Sequence, residues 1–215
     1  MAAFFRYEVL YYLREMLVGA VPAALVFVCF WPYRRRALAA MGLRSSPWRE
    51  GGLILFVMCL FGVLAVTLWP VYLVESNGPG TGNILLLVDR PSPWYNVNLI
   101  PFQMVGDYWE ELRRGGFVFT LLNFVGNLAV FVPLGFFPVL LFRAGTWRRS
   151  ALVGAATSVL VECGQYLVVR TTDIDDVILN TLGAICGYGI YLLLRQLFPG
   201  FLAKFQCIKV ESLRE

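Results

Sequence analysis

Histidine is absent from this 215-residue chain. That absence removes His-based triads, His-ligated metal sites and imidazole proton shuttles together. Charge is scarce too, with Asp, Glu, Lys and Arg at 15% of residues, against roughly 25% in an ordinary soluble domain. So few charges cannot cover the surface of a soluble globular enzyme of this length. A disordered tail is excluded by the 59% apolar content. The net charge is only +4, and no basic stripe with interleaved aromatics points to nucleic acid. Paired cysteine motifs are missing as well. Of Cys29, Cys59, Cys163, Cys186 and Cys207, four fall inside apolar runs, where they read as small buried hydrophobes.

What is present is length of apolar sequence. Mean hydropathy is +0.68, and a membrane-spanning helix needs about 20 mostly apolar residues. Five segments qualify: 16–33, 51–74, 117–142, 150–169 and 177–194. The first has its arginines after the apolar core and no small-residue cleavage site, so it reads as a span and not as a signal peptide. The expected fold is an all-α membrane protein, one bundle of about five transmembrane helices. No internal repeat or second domain is visible, so 1–215 reads as a single transmembrane domain with a short tail, 196–215.

Basic residues set the expected orientation. Twelve of the 18 Lys and Arg fall in the 32–50 loop, the loop after span three and the C-terminal tail. That side is expected to be cytoplasmic, with the N-terminus outside and the C-terminus inside. The long loop 75–116 then lies outside, with Glu75, Asp89, Asp107, Glu110, Glu111, Asp173, Asp175 and Asp176 on the same side. Within that loop, 77–82 reads as a turn, 84–88 as an apolar run too short to span, and 107–114 as a short surface helix. The first 15 residues read as an interfacial helix led by Phe4 and Phe5. The six tryptophans lie near span ends or in loops, as in an aromatic belt.

Polar groups are costly in lipid and usually face a bundle interior or a wet cavity. Asn123 and Asn127 lie four apart in span three, Glu162 and Gln165 three apart in span four, and Asp176 and Asn180 four apart at the start of span five. Each pair shares a helix face. At 1.5 Å per residue, Asn123 lies about 9 Å deep and Asn127 about 15 Å; Glu162 lies about 11 Å, Gln165 about 6 Å and Asn180 about 5 Å. All reach the outer half of the membrane, which predicts one outward-facing polar cavity among spans three, four and five, roofed by Arg170, Asp173, Asp175 and Asp176. The plainer readings stand beside it. The asparagines serve as interhelix glue, and Asp175 or Asp176 caps span five. Glu162 stands apart, because a lone ionised acid at that depth costs several kcal/mol unless paired or hydrated; Arg170 or a bound cation is the expected partner. Gly183 and Gly187 form a G-x-x-x-G spacing that admits a close neighbouring helix. Pro133 with Gly135 is expected to kink or split span three.

Asn98-Leu-Ile-Pro-Phe102, Asn123-Phe-Val-Gly-Asn127, Phe131-Val-Pro-Leu-Gly-Phe136, Glu162-Cys-Gly-Gln165, Arg170, Asp173-Ile-Asp-Asp176 and Asn180-Thr-Leu-Gly183 occur in that order. As a set they resemble the VanZ-like family of bacterial membrane proteins, over roughly residues 53–195. The resemblance implies a multi-pass protein of the bacterial cytoplasmic membrane, associated with resistance to teicoplanin, a lipoglycopeptide. It marks Asn98, Asn127, Glu162, Gln165, Arg170, Asp173, Asp175, Asp176 and Asn180 as important. Three functions follow as alternatives. The first is binding of a lipid-linked cell-wall precursor or lipoglycopeptide in the outward cavity, with Asn98, Asn123, Asn127, Gln165, Arg170, Asp173 and Asn180 as ligand-binding residues. The second is a membrane-embedded enzyme, with Glu162, Asp175 and Asp176 as catalytic carboxylates. These could be assisted by a divalent cation, since Mg²⁺ and Mn²⁺ prefer oxygen ligands. Its weakness is the lack of a nucleophile, with Cys163 expected to point away from the Glu162 face. The third, a lipid transporter or flippase, ranks last because there is no repeat and little polarity in the inner half.

Overall fold

A computed structural model describes residues 2–68, 72–76, 82–86, 97–115, 117–142, 145–167 and 172–209. Helix α1 spans Ala2–Ala40 and helix α2 spans Pro47–Leu68, with the short strand β1, Leu43–Arg44, between them. The sequence reading opened a loop at Pro32, yet α1 runs through Arg34, Arg35 and Arg36 to Ala40. Arginine is a good helix former. Arg34 is also held there, bonded to Glu50 across the hairpin and lying over the Phe27 ring at 4.8 Å. The N-terminal residues are the first turns of this same helix and not a separate one.

The second span is shorter than expected. It ends at Leu68, and Tyr72–Ser76 forms β2, paired antiparallel with β3, Gly82–Leu86. The expected turn at 77–82 falls almost wholly outside the described residues. Strand β4, Val97–Asn98, pairs in parallel with β5, Thr172–Asp173. Helix α3, Gln103–Arg113, confirms the expected short surface helix. Three long helices follow: α4 at Phe117–Phe142, α5 at Trp147–Leu167 and α6 at Ile174–Leu197. The short α7, Pro199–Ala203, leads to β6, Ile208–Lys209, which pairs with β1. Pro133 and Gly135 do not split α4, which is one continuous helix.

Among the described residues, four helices are long and apolar enough to cross a membrane: Leu17–Ala40, Pro47–Ala65, Phe124–Phe142 and Ile174–Leu197. Helix α5 has 21 residues, about 31 Å at 1.5 Å per residue. It is less apolar because Ser150, Ser158, Glu162 and Gln165 lie on it, all of them buried. Those side chains sit against other helices, so their polarity is hidden from the surroundings.

Helix α6 occupies the centre. A Cβ built on Gly183 would meet the Leu128 carbonyl oxygen at 2.2 Å, and one on Gly187 would meet that of Val132 at 2.0 Å. A Cβ on Gly135 would in turn meet the Ala184 carbonyl oxygen at 1.7 Å. The expected G-x-x-x-G contact is therefore real and reciprocal: α4 and α6 touch backbone to backbone, which only glycine permits. Val63, Phe131, Leu134 and Val161 form one buried cluster and Leu53, Leu140, Leu141 and Leu202 another. Much of the remaining helix surface exposes large apolar side chains, as a lipid-facing surface does. The cysteines follow that pattern. Cys29, Cys163 and Cys186 are exposed and Cys59 and Cys207 half-buried, all as free thiols. They are not the buried hydrophobes expected, because an apolar side chain gains nothing from leaving a surface that faces hydrocarbon.

Candidate functional site

The bundle has an end rich in carboxylates, assembled from the C-terminal half of α5, the start of α6 and the segment 97–108. Asp173 is the N-cap of α6, its carboxylate accepting from the Asp175 amide at 2.9 Å. This corrects the expectation that Asp175 or Asp176 plays that part. Asp173 also accepts from Asn98 Nδ2 at 3.1 Å. Asn98 Oδ1 in turn accepts from the Ile100 amide at 3.0 Å. The β4–β5 ladder places Asn98 opposite Asp173 in register.

Asp175 lies in the first turn of α6 and is almost completely buried, at 1% exposure. Its carboxylate accepts from the Phe102 amide at 2.5 Å and the Met104 amide at 2.8 Å. A buried carboxylate is tolerable when amide donors replace its water. The same two bonds satisfy donors at the start of α3. Phe102 is the one described non-glycine residue with positive φ, at 68°. That conformation costs of order 1 kcal/mol and is held by the Asp175 bond to its amide.

Glu162 is 4% exposed, and its carboxylate accepts from the Asp173 amide at 3.0 Å. Its carbonyl accepts from Thr172 Oγ1 at 3.3 Å. Asn127 Nδ2 donates to Asp176 at 2.8 Å, joining α4 to α6. Deeper, Asn180 Nδ2 donates to Ser158 Oγ at 2.9 Å, joining α6 to α5. Gln165 turns away from this group and donates to the Thr67 carbonyl of α2 at 3.2 Å, while its buried Oε1 lacks a partner. Arg170 and the side chain of Asn123 lie outside the described residues.

Most of the predicted residues that the structure describes therefore gather at one end of the bundle. Glu162, Asp173, Asp175 and Asn98 form a connected network, Asn127 with Asp176 a second contact, and Asn180 with Ser158 a third. Beside the network lies a cavity of about 460 Å³, lined by side chains that include Leu99, Val159, Glu162, Tyr166, Leu167 and Asp173. Among the described residues, none from α4 lines it. The cavity is mainly apolar, with carboxylate-bearing residues along one edge. Cys163 lines it beside Glu162, against the expectation that it points elsewhere: both flanks of α5 border the groove.

The arrangement bears on a cation. Among the described residues, no three acidic or cysteine side chains are grouped so as to hold a metal ion. Asp173 and Asp175 direct their oxygens at amides of the chain itself.

Two participants escaped the sequence reading. Ser158 had a signal: Ser150, Gly154, Ser158, Glu162 and Gln165 recur every three or four residues, the spacing of one helix face. Tyr108 had none. It packs edge-on against Phe124 of α4, with centroids 6.4 Å apart. Burial, then the nearby charges of Asp176, Asp173 and Asp175, push its phenol up to about 12. A negative cluster disfavours a further anion.

Comparison with curated proteins and with solved structures returns no match. A family model for VanZ/LLP1 matches residues 53–195, a stretch that contains α4, α5, all but the last two residues of α6 and the whole carboxylate network. With more than half of its length matched in this way, the chain belongs to the VanZ/LLP1 family.

Proposed function

We propose that this protein is a five-span component of the bacterial cytoplasmic membrane that binds an amphiphile in the groove beside Glu162 and Asp173. In this reading α5 also crosses the membrane, as span four of five, and its polar face is tolerated because it is buried. The basic end faces the cytoplasm and the carboxylate end faces outward. The observation that carries the proposal is the groove's apolar lining, which ends at a carboxylate-bearing edge. Val159, Tyr166, Leu167 and Val177 suit an acyl or prenyl chain, and Glu162 and Asp173 stand at that edge. Leu160 and Leu167 are exposed beside it, at 71% and 79%, so a lipid tail could arrive sideways from the bilayer.

A lipid-linked cell-wall precursor or the lipoglycopeptide teicoplanin has this chemistry, and the family's association with teicoplanin resistance agrees with either. The test is resistance in cells expressing Val159→Trp, which fills the groove, and Glu162→Gln, which keeps the shape and removes the charge. Both should lose teicoplanin protection at unchanged expression; full protection in both sinks the reading.

The enzymatic alternative gains one observation, the Cys163 thiol lining the groove with Glu162. A Cys163→Ser variant with full activity would remove that support.

A further inference from the structure

The other end of the bundle holds a charge imbalance. Arg34 near the end of α1 is bonded to Glu50 in the first turn of α2. Arg49, its neighbour on α2, is 6% exposed and close enough to Arg34 for the two cations to repel. The side-chain contacts of Arg49 are a long one to Ser45 Oγ at 3.4 Å and the face of Phe142 at 5.8 Å. Its buried Nε has no hydrogen-bond partner, nor do Arg34 Nε and Glu50 Oε1.

Two further forces act against a cation at this position. Arg49 sits in the first turn of a 22-residue helix, where the aligned peptide dipoles present a positive end. Among the described residues, the one acid beside it, Glu50, is already engaged by Arg34. A buried charge without a counter-charge costs several kcal/mol, so this geometry is complete only with an anion present.

We propose that Arg49, with Arg34 and the first turn of α2, forms a binding site for a phosphate-bearing anion. Planar guanidinium groups suit phosphate oxygens, and the positive end of the helix dipole favours an anion. The surroundings indicate headgroup depth. Trp48 packs edge-on against Phe201 and Phe205, with Lys204 over its ring at 5.3 Å. Arg35 lies over Trp31 at 5.2 Å. Such aromatic and cationic collars mark the membrane–water boundary. The anion could come from an anionic phospholipid headgroup or from free phosphate. The site lies outside residues 53–195 and is independent of the groove.

The test uses the full chain in neutral detergent, with thermal unfolding followed on addition of phosphatidylglycerol, phosphatidylcholine or inorganic phosphate. Phosphatidylglycerol should raise the midpoint of the native protein and phosphatidylcholine should not. Arg49→Gln should bind phosphatidylglycerol about tenfold more weakly, Arg49→Lys should retain much of the shift, and Arg36→Gln, at an exposed position, should retain all of it. A matching shift with inorganic phosphate would assign the site to the free ion, and no such shift would assign it to lipid. If Arg49→Gln does not fold, Arg34→Gln carries the same expectation. A shift undiminished in Arg49→Gln, or diminished equally in Arg36→Gln, overturns the proposal.

Discussion

The two ends of the helical bundle carry charge of opposite sign and satisfy it differently. At the carboxylate end, the buried and half-buried carboxylates are met by amide donors of the same chain: Phe102 and Met104 for Asp175, Asp175 and Asn98 for Asp173, and Asp173 for Glu162. At the basic end, Arg49 is buried with a polar atom unpartnered. The reason is chemical. A backbone segment can turn several N–H groups toward one carboxylate, so an anion is easily completed from within. A guanidinium has five donors in a fixed plane and needs acceptors spread around it. Among the described residues, the short connections at the basic end leave Arg49 Nε without one. One end uses its charge to fasten a loop, and the other presents charge to something outside the chain.

Removing an acid should therefore cost more than removing the arginine. Asp175→Ala leaves two amides without acceptors and releases the positive φ at Phe102. A loss of about 3 kcal/mol is expected, with faster hydrogen exchange across 98–108. A loss below about 1 kcal/mol would break the comparison. Arg49→Gln removes an unpaired buried charge. In neutral detergent it should leave stability unchanged or raise it by about 1 kcal/mol, read from thermal unfolding.

Tyr108 sharpens the comparison through pH. Its phenol titrates at about 12 when folded, above the ordinary value of 10.0. Its contribution is fully present below pH 10, because the proton is on in both states. Between pH 10 and 12 the unfolded chain gives up that proton first, so stability falls as pH rises. Tyr108→Phe should lack this part of the alkaline loss, and the native protein should show late tyrosinate absorbance. The smallest effect is expected at Arg114, paired with Glu110 at 3.1 Å on the exposed side of α3. Arg114→Ala should change stability by under about 0.5 kcal/mol, since solvent screens such a pair.

The sequence was most informative where one physical requirement acted along a single helix. The apolar run 117–142 became α4 residue for residue, because hydrocarbon length and backbone satisfaction leave a helix little choice. Span boundaries at Pro32 and Val74 were less legible. A proline or an apolar run does not reveal whether the next residues will find partners, as Arg34 finds Glu50 and Tyr72–Ser76 finds Gly82–Leu86. The candidate acids were legible by their cost in an apolar environment. Their partners were not, since the Asp175 acceptors serve amides 71 and 73 residues earlier in the chain.

By itself, then, the sequence determined that the scarce charges divide between two ends, and that Glu162 lies among apolar residues with glycines facing a close neighbour. These follow from local spacing and from the cost of charge in lipid. The tertiary structure alone decided what those charges are for. It turned Asp173 and Asp175 toward backbone amides, opened a mainly apolar groove beside Glu162, and left Arg49 without a counter-charge among the described residues. Periodicity can show which face a side chain occupies, but only the packed chain determines which donor or acceptor stands opposite.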